Sequence, residues 1–268
     1  MEYWIGKTKL EYRVENQVKR GEDITLLDTA DDLTKKTQWS KPGFSIEPLF
    51  DNKTFSAFRD NTYNLLTDLW RKADLEIPDL ISLTDYHKVA TTREKHLRAV
   101  EHTKLLNTIQ FPIPIHILED RISGIIGDPV MVSNPFDNQS VFHFRVIRPN
   151  SYDNNPLHRD VWLPDYKNCI NLYIPIAGSN EKSSLVISPG SHRWPELNLE
   201  KTIDGARING IRYIVPAVSK ILCQKEFVRP NPKENEVLIF SPYLIHGGSI
   251  NLNKNLTRIS IEVRLWRK

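Results

Sequence analysis

The apolar residues in the first half of the chain recur at helical spacing. Six of them form one apolar stripe with separations of three, four or seven residues and predict a helix over residues 52–72: Phe55, Phe58, Leu65, Leu66, Leu69 and Trp70. The same spacing predicts a second helix from about Asp85 to Asn107 and a third from Ile115 to near Gly127. The second helix is expected to bury Val89, Leu97, Val100, Leu105 and Leu106.

After Asp128 the pattern changes to a period of two residues, which is typical of strands. The strand-like segments are Val141–Arg148, Cys169–Ile176, Ser184–Ser188, Ile211–Val215, Ser219–Cys223, Glu236–Ser241 and Leu256–Trp266. Turns rich in proline, glycine and asparagine separate them, which favours a β-sandwich or a β-barrel. Residues 1–50 show little pattern beyond a short strand candidate at Phe44–Glu47.

These elements predict a mainly β protein with a helical buttress at its N-terminal side. We expect one catalytic domain over residues 1–268, because residues 108–135 contain no flexible polar linker. Within it, residues 1–130 are predicted to be a largely helical support region, and residues 131–268 a β core.

Composition and charge narrow the class of function. Hydrophobic residues make up 40% of the chain and charged residues 26%, which is ordinary for a globular protein. No apolar run approaches the roughly 18 residues of a membrane span, and the N-terminus lacks a signal-peptide pattern, so we expect a cytoplasmic protein. The net charge of +3 comes from dispersed residues, which indicates no nucleic-acid surface but suits a small anionic substrate. Cys169 and Cys223 form no zinc motif and are expected to be reduced thiols.

The candidate chemistry begins at His158-Arg159-Asp160, which is the only His-x-Asp in the chain. On an extended strand, positions i and i+2 point to the same side, so His158 and Asp160 can offer an imidazole and a carboxylate to one point. That is two thirds of a 2-His-1-carboxylate site for iron(II). His246 is the candidate third ligand, and the glycines that follow it, Gly247 and Gly248, leave room for close approach to a metal.

The last predicted strand places charged residues on one face. Parity puts Arg258, Ser260 and Glu262 on that face, and the opposite face is apolar: Ile259, Ile261, Val263 and Leu265. A charged inner face suits a polar cavity, and a buried arginine needs a partner. A dicarboxylate cosubstrate would supply one, because a guanidinium matches a carboxylate with two parallel hydrogen bonds and Ser260 adds a hydroxyl.

These motifs resemble those of a known superfamily. His158-x-Asp160, His246 and Arg258-x-Ser260 look like the signature of iron(II)/2-oxoglutarate-dependent oxygenases. The stretch Ser-Leu-Val-Ile-Ser-Pro-Gly-Ser-His at residues 184–192 resembles, more specifically, the phytanoyl-CoA dioxygenase-like family. The order and spacing agree over about residues 140–266, and the first 130 residues add no motif.

The resemblance implies a double-stranded β-helix, a cupin-like or jelly-roll barrel, supported by the N-terminal helices. It implies Fe(II) held by His158, Asp160 and His246, with 2-oxoglutarate chelating the metal and its distal carboxylate on Arg258 and Ser260. It also implies O2 as a cosubstrate and hydroxylation of a small-molecule substrate, with decarboxylation of 2-oxoglutarate to succinate. Halogenating relatives lack the carboxylate ligand, so Asp160 favours hydroxylation, or another oxidation such as desaturation, over halogenation.

Further residues are candidates with two interpretations each. Asn171 and Tyr173 share one strand face and could contact the cosubstrate or the substrate. Arg145 could bind an acidic substrate group or form a surface salt bridge. Trp162 could form a wall of the substrate site or pack in the core. His192 is expected to support the structure rather than bind metal.

Two other classes of function stay open at this stage. A cupin-type metal isomerase or epimerase would use the same barrel without consuming O2. A non-catalytic ligand-binding barrel would have no need for the three metal ligands together with Arg258. By parity Arg159 points away from the metal and is expected either to pack in the structure or to form a salt bridge. The substrate and the oligomeric state are left open by the sequence.

Overall fold

The computed structural model describes residues 1–268 except 152, 154, 224, 248 and 249. Its helices are α1 Asn52–Lys72, α2 Tyr86–Val89, α3 Arg93–Thr103 and α4 Ile115–Ile126. Its strands are β1 Glu2–Ile5, β2 Thr8–Glu11, β3 Val18–Arg20, β4 Phe44–Pro48, β5 Leu106–Asn107, β6 Val130–Met131, β7 Val141–Ile147, β8 Cys169–Ala177, β9 Val186–Ile187, β10 Leu199–Thr202, β11 Ala206–Ile208, β12 Ile211–Tyr213, β13 Val218–Ile221, β14 Glu236–Phe240, β15 His246–Gly247 and β16 Arg258–Arg267. The protein is therefore mainly β, with its α-helices between residues 52 and 126.

The strands form a double-stranded β-helix. The larger sheet has the antiparallel order β4-β14-β8-β16-β7-β5, and β6 also pairs with β16. Smaller sheets are formed by β9 with β15, by β3, β10 and β13, by β1 with β2, and by β11 with β12. Neighbouring strands in the larger sheet are distant in sequence, so the chain passes back and forth between the sheets. The inner face of β16 faces the interior of the barrel.

The helices cover the outer face of the larger sheet. The outward residues of β16 lie in one apolar cluster with helix residues such as Leu66, Trp70, Leu118 and Ile122. This arrangement confirms the predicted apolar face at Ile259, Ile261, Val263 and Leu265. Burial of both the helix stripe and this strand face is the main hydrophobic contribution that holds the buttress to the barrel.

The first and third predicted helices are confirmed. Helix α1 begins after Asp51, whose carboxylate accepts hydrogen bonds from the backbone N–H groups of Lys53 and Thr54 at 2.9 and 3.0 Å. Helix α4 ends at Gly127, which has a φ of +75° in the left-handed region. Both boundaries thus follow from local capping signals.

The prediction of one continuous helix from Asp85 to Asn107 is wrong. Helix α2 ends at Val89, and α3 begins only after Thr92, whose hydroxyl accepts a hydrogen bond from the Lys95 N–H at 3.2 Å. Leu97 and Leu105 were expected to face inward but are 48% and 62% exposed. The buried residues of α3 are instead His96, Ala99 and Thr103.

Residues 1–50 contribute strands rather than helices, so the helical support region is narrower than the predicted residues 1–130. Strand β3 pairs with β10, and β4 pairs with β14 at the edge of the larger sheet, as the Phe44–Glu47 strand candidate suggested. The division into a single domain stays a prediction. None of the helices in the described part of the chain has the length and apolar character needed to cross a membrane.

Candidate metal centre

Backbone pairing brings the two predicted histidine ligands together. His158 and His246 are partners in an antiparallel bridge, with N–H to carbonyl hydrogen bonds of 3.0 Å in both directions. Their ring centroids lie 4.5 Å apart. Arg159 is extended (φ −111°, ψ 142°), so Asp160 points to the same side as His158, and the Asp160 N–H donates to the Pro242 carbonyl at 3.0 Å.

The three side chains converge on one buried point. His158 Nε2 lies 3.2 Å from Asp160 Oδ1, and His246 Nε2 lies 3.7 Å from Asp160 Oδ2. Neighbouring ligand atoms of an octahedral ion with bonds of about 2.1 Å are about 3.0 Å apart, so these spacings are close to those of a metal site. No other group of three or more His, Cys, Asp or Glu residues in the described part of the chain converges in this way.

Both imidazoles are oriented by backbone carbonyls. His158 Nδ1 lies 2.7 Å from the Pro156 oxygen, and His246 Nδ1 lies 2.9 Å from the Leu244 oxygen. A carbonyl oxygen can only accept, so each Nδ1 carries a proton and points away from the shared point, and each Nε2 faces that point. Burial lowers the pKa of His246 to about 4, which keeps this imidazole neutral near pH 7.

Asp160 completes the set as a carboxylate. Its burial opposes ionisation, but the positive charge of the Arg264 guanidinium favours it, and the pKa of Asp160 lies well below its usual range. Asn171 Nδ2 and Arg264 Nη2 donate to its Oδ2 at 2.8 and 2.9 Å. Two imidazole Nε2 atoms and an anionic oxygen therefore face one another in a buried position, which is the donor set that a divalent cation fits.

Gly247 makes room for this arrangement. Its φ is +101°, and a Cβ at this position would lie 3.0 Å from both His158 Nδ1 and the Pro156 oxygen. Any larger residue would therefore be strained and would press on a candidate ligand. The second predicted glycine, Gly248, lies outside the described residues.

Arg258 provides a second feature that fits a ligand. Its side chain is fully buried on the inner face of β16, and its Nη1 donates to Ser260 Oγ at 3.1 Å. Its Nε and Nη2 atoms have no hydrogen-bond partner. The guanidinium carbon lies 5.5 Å from the ring centre of Tyr173, whose hydroxyl is bonded to Ser179 Oγ at 2.8 Å. A buried cation with two free N–H-bearing nitrogens is the arrangement that a carboxylate of a bound dicarboxylate would complete.

The same face of β16 carries two more charged residues. Glu262 accepts a hydrogen bond from Arg145 Nε at 2.8 Å; burial opposes its ionisation, but Arg145 outweighs this and lowers the pKa of Glu262 to about 2. Arg264 lies with its guanidinium carbon 4.3 Å from the centre of the Tyr166 ring and bonds Asp160. Sequence reasoning missed Arg264, although the parity that groups Arg258 with Glu262 also includes it.

The remaining candidates have contacts outside the three ligands. Trp162 is 38% exposed and lines a cavity of about 460 Å³ together with Arg159. Arg159 forms the predicted salt bridge, with Glu196. His192 Nε2 is bonded to the Ser40 carbonyl at 2.9 Å, so it supports the N-terminal segment.

Comparison with known proteins identifies the family of the chain. The profile of the family Phytanoyl-CoA dioxygenase (PhyH) matches residues 43–260, most of the chain. The non-heme alpha ketoglutarate dependent carbocyclase SnoK from nogalamycin biosynthesis is similar in fold, with a TM-score of 0.51 at 13% identity over 92% of this chain and 87% of that one. EctD from S. alaskensis with 2-oxoglutarate and 5-hydroxyectoine has a TM-score of 0.48 at 14% identity, over 96% and 86% of the two chains. No curated protein sequence matches the chain.

Proposed function

The chain belongs to the phytanoyl-CoA dioxygenase family of iron(II)- and 2-oxoglutarate-dependent oxygenases, and we propose that it hydroxylates a small-molecule substrate while 2-oxoglutarate is decarboxylated to succinate. Its cofactor is Fe(II), and its cosubstrates are 2-oxoglutarate and O2. One observation carries the proposal for the site: the Nε2 atoms of two imidazoles and one carboxylate converge in a buried position, with each Nδ1 held by a backbone carbonyl.

We assign the iron to His158, Asp160 and His246. Three ligands on one face of an octahedral ion leave three positions free, which is the number needed for a chelating 2-oxo acid and O2. When bound, iron with 2-oxoglutarate supplies oxidation of an unactivated C–H bond by O2. The chain contributes the rest: the Pro156 and Leu244 carbonyls hold the imidazole protons away from the metal, and burial excludes water from the ligands.

We assign the distal carboxylate of 2-oxoglutarate to Arg258 and Ser260. The two unpaired nitrogens of Arg258 can donate to the two carboxylate oxygens, and Ser260 Oγ lies beside them. Each such charge-assisted hydrogen bond contributes about 1.5–3 kcal/mol. In the free protein the buried Arg258 guanidinium has no hydrogen bond to a charged group. The carboxylate of the cosubstrate would neutralise it, so binding would remove the cost of an unpaired buried charge.

We propose hydroxylation over halogenation because Asp160 occupies the ligand position that a halide would need. Arg145 binds Glu262 through Nε, which leaves its two terminal nitrogens as candidates for an acidic group of the substrate. Asn171 lies against Asp160, and its Oδ1 has no partner in the structure. Trp162 lines the cavity that contains the Arg159–Glu196 pair, and we assign it no contact with the cosubstrate.

The proposal is tested with purified protein, Fe(II), ascorbate, 2-oxoglutarate and a panel of metabolites. Hydroxylation predicts substrate-dependent succinate and a product that has gained one oxygen atom, labelled when the assay is run under ¹⁸O2. The Asp160→Ala variant should form neither. Succinate with a product that contains no new oxygen would contradict hydroxylation and favour another oxidation, such as the ring closure named for SnoK. A converted substrate without succinate would instead favour an isomerase or epimerase.

A further inference from the structure

The two oxygens of Asp160 have different surroundings. Oδ2 accepts hydrogen bonds from Asn171 Nδ2 at 2.8 Å and from Arg264 Nη2 at 2.9 Å. A carboxylate oxygen has two lone-pair directions, so these two donors saturate Oδ2. Oδ1 lies 3.2 Å from Nε2 of His158, the neighbouring candidate ligand atom, and accepts no hydrogen bond from Asn171 or Arg264. Oδ1 is therefore the oxygen with lone pairs left for a metal.

The sheet itself places the two donors. Asn171 on β8 and Arg264 on β16 are direct partners in the antiparallel register, and both face the barrel interior. The Tyr166 ring lies 4.3 Å from the Arg264 guanidinium carbon and limits its movement. Because the carboxylate only accepts, it also fixes which end of the Asn171 amide points toward it. The contact with Oδ2 is thus built from two neighbouring strands rather than from one mobile side chain.

The contact with Oδ2 affects whether one or both oxygens of Asp160 can bind iron. Oδ2 lies 3.7 Å from His246 Nε2, close to the spacing of two ligands on one ion, so a small rotation of the carboxylate would let both oxygens bind. Four protein atoms on an octahedral ion would leave two positions, and a chelating 2-oxo acid would fill both. O2 would then have no place to bind.

We propose that Arg264 and Asn171 are positioning residues that hold Oδ2 of Asp160 away from the metal, so that Asp160 binds through Oδ1 alone and one position stays open for O2. The inference rests on the proposed assignment of Asp160 as an iron ligand. Arg264 contributes a second effect, because its positive charge lies on the Oδ2 side and repels a cation that approaches that oxygen.

Nitric oxide tests the open position, since it binds iron(II) where O2 would and gives an electron paramagnetic resonance signal that requires no turnover. Under anaerobic conditions, Arg264→Met with Fe(II) and 2-oxoglutarate should bind both but give at least about a tenfold weaker nitrosyl signal than the unaltered protein. Arg264→Lys should restore most of the signal, because an ammonium can still donate to Oδ2. Asn171→Ala should weaken the signal in the same direction, because one of the two donors is lost.

Arg267→Met is the matched control, because Arg267 also lies on β16 but pairs with Asp31 and Asp128 and not with Asp160. It should keep the full nitrosyl signal. A full signal in Arg264→Met with iron and 2-oxoglutarate bound would overturn the proposal, and so would loss of iron from both Arg264→Met and Asn171→Ala. If the assignment of Asp160 as an iron ligand were itself wrong, the result would be a different one: Asp160→Ala would bind iron as well as the unaltered protein does.

Discussion

Replacement of Arg258 by methionine should weaken 2-oxoglutarate binding and stabilise the cosubstrate-free protein at the same time. Arg258 is fully buried, and two of its nitrogens have no partner. In the free protein these atoms destabilise the folded state, because unsatisfied buried donors cost about 1–3 kcal/mol each. In the complex they would bind the distal carboxylate of 2-oxoglutarate. The two effects therefore have opposite signs.

The magnitudes follow from the hydrogen bonds. Two charge-assisted bonds contribute about 3–6 kcal/mol together, so Arg258→Met should raise the dissociation constant of 2-oxoglutarate by about two to four orders of magnitude. The free energy of unfolding of the metal-free protein should rise by about 1–3 kcal/mol, because methionine fills much of the same volume without an unpaired donor. Metal affinity should change little, because the hydrogen bond of Arg258 goes to Ser260 and not to any of the three metal ligands.

The assay is isothermal titration of 2-oxoglutarate into Mn(II)-loaded protein, together with urea unfolding of the metal-free form. Arg267→Met is the control, because its side chain is 35% exposed and already paired with Asp31 and Asp128. Its effect on 2-oxoglutarate affinity should be small. Unchanged 2-oxoglutarate affinity in Arg258→Met would refute the assignment of Arg258, and a large loss of stability would refute the interpretation of its unpaired nitrogens.

Two further predictions test the surroundings of the site. Gly247→Ala should lower Mn(II) affinity by at least about tenfold, because the new Cβ would lie 3.0 Å from His158 Nδ1. The control is Gly210→Ala, because Gly210 also has a positive φ of +73° but has open space around it, so the Mn(II) affinity should stay unchanged. Equal losses of affinity in the two variants would contradict the steric argument. Burial lowers the pKa of His96 from 6.5 to about 4 in the folded protein. As pH falls from about 6.5 to 4, the unfolded state therefore binds a proton at His96 that the folded state does not bind, and the free energy of unfolding decreases. Urea unfolding should show a decrease of up to about 1.4 kcal/mol per pH unit from this group, and His96→Gln should flatten that slope; an unchanged slope would contradict the assignment.

The features that local pattern determines were predictable from the sequence. Strand parity separated the charged inner face of β16 from its apolar outer face, because side chains alternate strictly on an extended chain. Helix α1 was predictable because its apolar stripe is long and regular. The glycines after His246 made it a candidate ligand, but the family resemblance was needed to imply that it binds the same metal as His158, 88 positions away in the sequence.

The features that depend on distant contacts were not predictable. The break between α2 and α3 coincides with Thr92, whose carbonyl accepts a hydrogen bond from Arg148 at 3.3 Å, and nothing near Thr92 in the sequence indicates that partner. Strand β3 is exposed at all three positions and is held by its pairing with β10, so it has no hydrophobic signature. Arg264 was within reach of the parity argument, but its contact with Asp160 required the register of β8 and β16.

The central claim is that His158, Asp160 and His246 hold the iron to which 2-oxoglutarate binds. The most direct measurement is anaerobic titration of the metal-free protein with Fe(II), followed by 2-oxoglutarate, with bound iron counted and the visible absorption of the iron–2-oxoglutarate chelate recorded. The unaltered protein should bind one iron per chain and develop this absorption, and Asp160→Ala and His246→Ala should each lose at least about tenfold in iron affinity. One iron per chain with full chelate absorption in both variants would contradict the claim.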